Sequence, residues 1–78
     1  MKVHVYILLC ADERYYTGIT KNLHKRLHQH NSGQSKSTRY RLPVRCIWSS
    51  IRDNRKLARQ LEKRIKNLGA KKFISTRI

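Results

Sequence analysis

The sequence predicts an α+β fold, a three-stranded antiparallel sheet flanked by helices in the order β-β-α-β-α with a short C-terminal helix. Three observations carry this. Two β-branched and aromatic runs, residues 3–10 and 15–20, flank a polar joint at residues 11–14. Two later stretches carry apolar residues at helical spacing, and a third apolar run, residues 44–50, lies between them. A sheet covered by helices is the simplest way to bury these faces together.

Each element follows from local chemistry. The first two runs predict a hairpin, with Tyr6 and Tyr16 on neighbouring strands; their register depends on turn geometry. Thr20 and Asn22 are both candidate N-caps for a helix whose sheet-facing side is Leu23, Leu27 and His30, at i, i+4, i+7. Ser32-Gly33 stops that helix near Asn31. Residues 34–42 are polar and basic and predict a loop or a short helical turn. Pro43 fixes the approach to strand three. Asp53-Asn54 caps a second helix with an apolar face of Leu57, Leu61, Ile65 and Leu68, and Gly69 ends it. Residues 70–78 complete the chain as a short helix, with Phe73 and Ile74 packing back.

At 78 residues the chain predicts one domain, residues 1–78, with a thin core that buries roughly 60–65% of the unfolded surface. Nineteen Lys and Arg against four acids give a formal net charge of +15, spread along the whole sequence. That balance predicts a folded basic surface and a polyanionic partner. No apolar run reaches the roughly 18 residues of a membrane span. The run at residues 3–11 is followed by Asp12-Glu13-Arg14, not by small residues, which argues against a signal peptide. Cys10 and Cys46 stand alone in separate apolar strands and read as reduced core residues, consistent with the cytoplasm. His24, His28 and His30 lie close together, but no C-x-x-C accompanies them, so the spacing gives no zinc site.

The four carboxylates differ in setting. Asp12 and Glu13 sit at the hairpin tip, and Asp53 precedes a helix. Glu62 lies mid-helix among Arg55, Lys56, Arg59, Lys63, Arg64 and Lys66, at the edge of the apolar stripe. It is either a surface ion pair with Arg59 or Lys66, worth about 0.3–0.5 kcal/mol, or a ligand for a hard cation whose other positions are filled by water and phosphate. Arg26 and His30 share a helix face. They are either two solvated basic residues, like their neighbours His24, Lys25 and His28, or a phosphate-binding guanidinium beside a proton-relaying imidazole. Tyr6 and Tyr16 either pack in the core or aim hydroxyls at a water, in which case nearby cations must lower a phenol pKa of about 10 or the phenol must orient the water while protonated.

Together these pieces form an ordered pattern: Val5-Tyr6-Ile7, then Tyr16-Thr17-Gly18-Ile19-Thr20, then Asn22-Leu23-x-x-Arg26-Leu27-x-x-His30-Asn31, and later Glu62-x-x-Ile65-Lys66. The pattern resembles the GIY-YIG nuclease superfamily, most closely its small stand-alone bacterial members, over essentially the whole chain. The resemblance implies a metal-dependent phosphodiesterase acting on nucleic acid. By position, Tyr6 matches the tyrosine that acts as, or assists, the general base. Tyr16 matches the one that orients the water or a phosphate oxygen. Arg26 matches the arginine that stabilises the transition state, and His30 the position that assists proton transfer. Glu62 matches the single metal-binding carboxylate, for Mg²⁺ or Mn²⁺, and Gly18 the glycine that lets backbone and substrate approach closely. Lys25, Arg39, Arg41, Arg59 and Lys66 are the cations expected to contact nucleic acid.

Two departures stand out. The first motif lacks its glycine, and Asn67 falls on a different helical face from Glu62, so no metal role transfers to it. Many relatives carry a further domain for target choice; here affinity is expected to come from phosphate contacts, with low sequence specificity, or from a targeting partner protein. The expected activity is a divalent-metal endonuclease, on DNA above RNA, in repair, recombination or defence, acting as a monomer or weak dimer. The alternative is a non-catalytic RNA- or ribosome-associated binding module on the same fold. A pure binder gains nothing from one carboxylate in a basic cleft. A helix-turn-helix regulator fits poorly with an opening hairpin.

Overall fold

The computed structural model describes residues 1–76. Its elements are β1 (Val3–Leu9), β2 (Tyr15–Thr20), α1 (Leu23–Asn31), β3 (Arg45–Arg52), α2 (Arg55–Leu68) and α3 (Ala70–Ser75). The expected α+β order holds, and all pairings are antiparallel, with sheet order β2-β1-β3. Residues 77 and 78 of the expected terminal helix lie outside the described residues.

β1 is central and buried on both faces, which explains its dense apolar run. Alternation along the strand divides its side chains between two cores. Val3, Val5 and Ile7 pack with Ala58, Leu61 and Ile65 of α2 and Phe73 of α3. Phe73 meets Trp48 of β3 edge-to-face, with centroids 4.9 Å apart. On the opposite face Tyr6 and Leu8 join Cys10 and Val44, covered by Leu23 and Leu27 of α1 and by Leu42.

The structure corrects several boundaries. β1 stops at Leu9, not Cys10, because the Cys10 amide closes the turn onto the Arg14 carbonyl at 2.9 Å. β3 runs from Arg45 to Arg52 instead of residues 44–50. The Val44 amide bonds Asn31 Oδ1 at 2.9 Å, and Arg52 still pairs with Val3. Asn22 caps α1, its side chain accepting from the Lys25 amide, while Thr20 Oγ1 accepts from the Asn22 amide just ahead. Asn54 caps α2 by accepting from the Leu57 amide at 2.9 Å. Asp53 is no cap: it pairs with Lys2 at 2.7 Å. Leu57 and Leu68 are about 40% exposed (40% and 41%), because the buried stripe of α2 centres on Ala58, Leu61 and Ile65. Gly69 ends α2 at φ +95, a backbone angle that suits glycine.

Residues 34–42 form a closed turn. The Arg39 amide donates to the Ser35 carbonyl at 3.0 Å and the Arg41 amide to the Thr38 carbonyl at 2.8 Å. This turn sits against the end of α1 and carries one buried side chain of consequence, Thr38.

Candidate active site

Strand register brings the two phenols together. Tyr6 pairs with Gly18 and Leu8 with Tyr16, so both tyrosines lie on the α1 face of the sheet, on adjacent strands. Their ring centroids are 6.4 Å apart. Gly18 opposite Tyr6 leaves the space that the Tyr6 hydroxyl fills; a Cβ there would lie 2.6 Å from the oxygen. Helix periodicity then brings Arg26 and His30 down onto the same place. Tyr6 Oη lies 3.2 Å from His30 Nε2, and Tyr16 packs edge-to-face on the His30 ring at 5.2 Å. His30 is fully buried, and its second ring nitrogen, Nδ1, lies 2.8 Å from Thr38 Oγ1. The imidazole therefore reaches any reacting group only through Tyr6.

Arg26 is half-buried between the phenols and donates to Gln29 Oε1 at 3.2 Å. Contact with Tyr6, and less with Tyr16, holds its guanidinium charged against the loss of hydration. Burial pushes the Tyr6 phenol above its ordinary value; Arg26 pulls it back in part, while Tyr16 and Glu62 add to the rise. Burial first, and the Arg26 charge second, lower the His30 imidazole from 6.5 to about 4. At neutral pH the site thus holds an uncharged phenol and an uncharged imidazole beside a fixed cation.

Glu62 comes from the opposite helix layer. α2 packs on β1 and β2, and Lys66 and Tyr16 line one cleft with Tyr15, Thr17 and Ala70. The site therefore straddles the β2 edge of the sheet. The Glu62 side chain is 16% exposed and its carboxylate is close enough to disfavour Tyr6 ionisation. It also pairs with Lys66, one turn on, at 3.4 Å. The ion-pair alternative for Glu62 is thus present, and the same carboxylate lies within electrostatic range of Tyr6. Among the described residues no three His, Cys, Asp or Glu side chains cluster as a protein-only metal cage.

The profile of the GIY-YIG catalytic domain matches residues 2–74. The chain belongs to the GIY-YIG family. Within it, the chain is 45% identical over 62 residues to a UPF0213 protein of Streptococcus pyogenes serotype M5, covering 78% of this chain and 67% of that one. A UPF0213 protein of the serotype M3 strain SSI-1 is 44% identical over the same span. The solution NMR structure of the UPF0213 protein BH0048 from Bacillus halodurans superposes with a TM-score of 0.61 at 34% identity, covering 97% of this chain and 82% of that one. The GIY-YIG fold thus accounts for the sheet, the helices and the convergence of Tyr6, Tyr16, Arg26 and His30.

The other cations are placed less uniformly on this GIY-YIG domain. Arg59, Glu62 and Lys66 share one stripe of α2 by helical spacing. Lys25 is exposed on α1. Arg39 lies over the ring of Tyr40, 5.1 Å from its centroid, and Tyr40 itself is 86% exposed. Arg41 is engaged inside the turn, donating to the Ser37 carbonyl and lying 3.9 Å from Asp12. Residue spacing assigns Thr38 no role at the site. It is a lone threonine in a polar loop, and only the folded turn brings it to His30.

Proposed function

We propose that this protein is a divalent-metal-dependent endonuclease that hydrolyses phosphodiester bonds of nucleic acid, DNA above RNA, with low sequence specificity. The observation that carries the reading is Arg26 held against the Tyr6 and Tyr16 phenols, with the Glu62 carboxylate within electrostatic range of Tyr6. A packing role accounts for one buried and one half-buried phenol. It does not account for a charged guanidinium held between them with a carboxylate nearby.

The residues fit a hard dication bound through a single carboxylate. Glu62 offers oxygen donors at a partly exposed rim beside a basic surface, where water and a substrate phosphate complete the shell. The ion, Mg²⁺ or Mn²⁺, supplies Lewis-acid charge that offsets the negative charge developing on the phosphate. Lys66 gives up its pairing with Glu62 and is free for a phosphate.

The chain's own residues do the rest. Arg26 binds the scissile phosphate and stabilises its charge as bonds rearrange. Tyr6 orients the attacking water through its oxygen while protonated, or takes that water's proton once its own has passed to solvent; Tyr16 orients the water or a phosphate oxygen. Water attacks phosphorus, the bond to the 3′-oxygen breaks, that oxygen takes a proton from solvent, and the products are a 5′-phosphate and a 3′-hydroxyl. His30 acts on Tyr6 alone. Lys25, Arg39, Arg59 and Lys66 hold the backbone without reading bases.

A labelled panel of single-stranded, duplex and branched DNA, and RNA, incubated with Mg²⁺, Mn²⁺ or chelator, tests this reading. Metal-dependent products with 5′-phosphate ends support it. Retention of these nucleic acids with no cleavage of any of them points to a binding module.

A further inference from the structure

We propose that Thr38 donates its hydroxyl proton to His30 Nδ1, which holds His30 as the Nε2–H tautomer and makes it a donor to the Tyr6 oxygen instead of an acceptor of the Tyr6 proton. The catalytic meaning of this wiring rests on the nuclease reading above; the wiring itself does not.

Both ring nitrogens of His30 are engaged, Nδ1 with Thr38 Oγ1 at 2.8 Å and Nε2 with Tyr6 Oη at 3.2 Å. A neutral imidazole has one N–H and one lone pair, so two wirings are available. In the first, Tyr6 donates to Nε2 and Nδ1–H donates to Thr38. The Thr38 proton is then stranded: Thr38 is 0% exposed, and among the described residues its Oγ1 has no hydrogen-bond partner but His30. A buried hydroxyl proton without an acceptor carries the desolvation cost of the lost hydrogen bond. In the second wiring Thr38 O–H donates to Nδ1 and Nε2–H donates to Tyr6. The threonine is left only with unused lone pairs, which cost less than an orphaned donor.

The turn is built to hold this arrangement. The Thr38 amide bonds the Ser35 carbonyl at 3.3 Å, and the Thr38 carbonyl accepts from the Arg41 amide at 2.8 Å, so the residue is pinned on both sides of its hydroxyl. Tyr6 Oη then receives hydrogen bonds from His30 and from Arg26. Its own proton is left for the side of the site where Tyr16 and the half-buried Arg26 lie and where a water or phosphate oxygen accepts it; Thr38, behind the ring in the turn, has no such outlet. Two donors on the phenolic oxygen work against the burial that raises the Tyr6 phenol, and so help it accept a proton from water. His30 neither gains nor loses a proton through the cycle. It and Thr38 are positioning residues, acting through Tyr6.

The test is the long-range ¹H–¹⁵N NMR spectrum of the histidine rings in wild type, Thr38→Ser and Thr38→Val, paired with metal-dependent cleavage rates. The expected result is an Nε2–H tautomer in wild type and in Thr38→Ser. In Thr38→Val the Nδ1 resonance moves to that of a free lone pair, and kcat falls about tenfold with KM little changed, because the ring that positions Tyr6 loses one of its two hydrogen bonds. An Nδ1–H tautomer in wild type overturns the proposal, as does an Nδ1 resonance that Thr38→Val leaves in place. The spectrum reads the tautomer without any cleavage. A chain that cuts nothing therefore sinks the nuclease reading while the spectrum still decides the wiring.

Discussion

The Tyr6 hydroxyl occupies the volume that Gly18 leaves empty: a Cβ at residue 18 would stand 2.6 Å from the oxygen and 2.8 Å from Cζ. Tyr6 is 1% exposed and cannot swing out freely. Gly18→Ala is expected to push the phenol off His30 and Arg26 and to destabilise the fold by about 1–3 kcal/mol through overpacking. Urea unfolding measures the stability loss and cleavage rate the displacement. An alanine variant with wild-type stability and rate would contradict this placement of the ring.

The buried imidazole makes stability pH-dependent. His30 is lowered to about 4 in the fold, against 6.5 when unfolded. Between those values the unfolded chain binds the extra proton, so stability is full above about pH 6.5 and falls as pH drops toward 4. The loss is on the order of 3 kcal/mol. Urea midpoints from pH 4 to 7 should therefore slope upward in wild type and much less in His30→Gln. Parallel slopes would place His30 in water.

Phosphate contacts predict steep salt dependence of nucleic-acid binding. Lys25→Ala and Arg39→Ala should each reduce the slope of log K against log salt by roughly one and weaken all sequences alike. Arg41 is spent on the turn and on Asp12, so Arg41→Ala should lower stability with little change in that slope. A larger slope change for Arg41 than for Arg39 would reverse this division.

Arg26 offers a planar fork between two phenols, which a lysine ammonium does not reproduce. Arg26→Lys is expected to retain the fold and to lose roughly 10²–10³ in kcat, the range for removing one preorganised donor. Equal loss in binding, with kcat preserved, would make Arg26 a binding residue only.

Much of this was legible in the sequence because it is local. Apolar spacing placed the helices, and the i, i+4 spacing of Arg26 and His30 placed both toward the sheet. The rest depended on tertiary geometry. Register paired Tyr6 with Gly18 only once the hairpin closed through a left-handed Glu13, at φ +66. Asp53 and Asn54 are equivalent caps by residue type, and Lys2, across the fold, drew Asp53 away. Leu57 and Leu68 satisfy the helical pattern, yet the core reaches only the centre of α2. Thr38 meets His30 through the fold of a loop, for which spacing carries no signal.

The most direct test of the central claim is single-turnover cleavage of a labelled strand by wild type and Glu62→Gln, with Mg²⁺ and with chelator, at matched folded fraction. Glu62 contributes little to stability, since its partner Lys66 is largely solvated and such pairs are worth about 0.3–0.5 kcal/mol. The account predicts Mg²⁺-dependent cleavage by wild type and a loss of at least about 100-fold in the variant, with unfolding midpoints nearly equal. Cleavage that survives Glu62→Gln, or that proceeds in chelator, would contradict it.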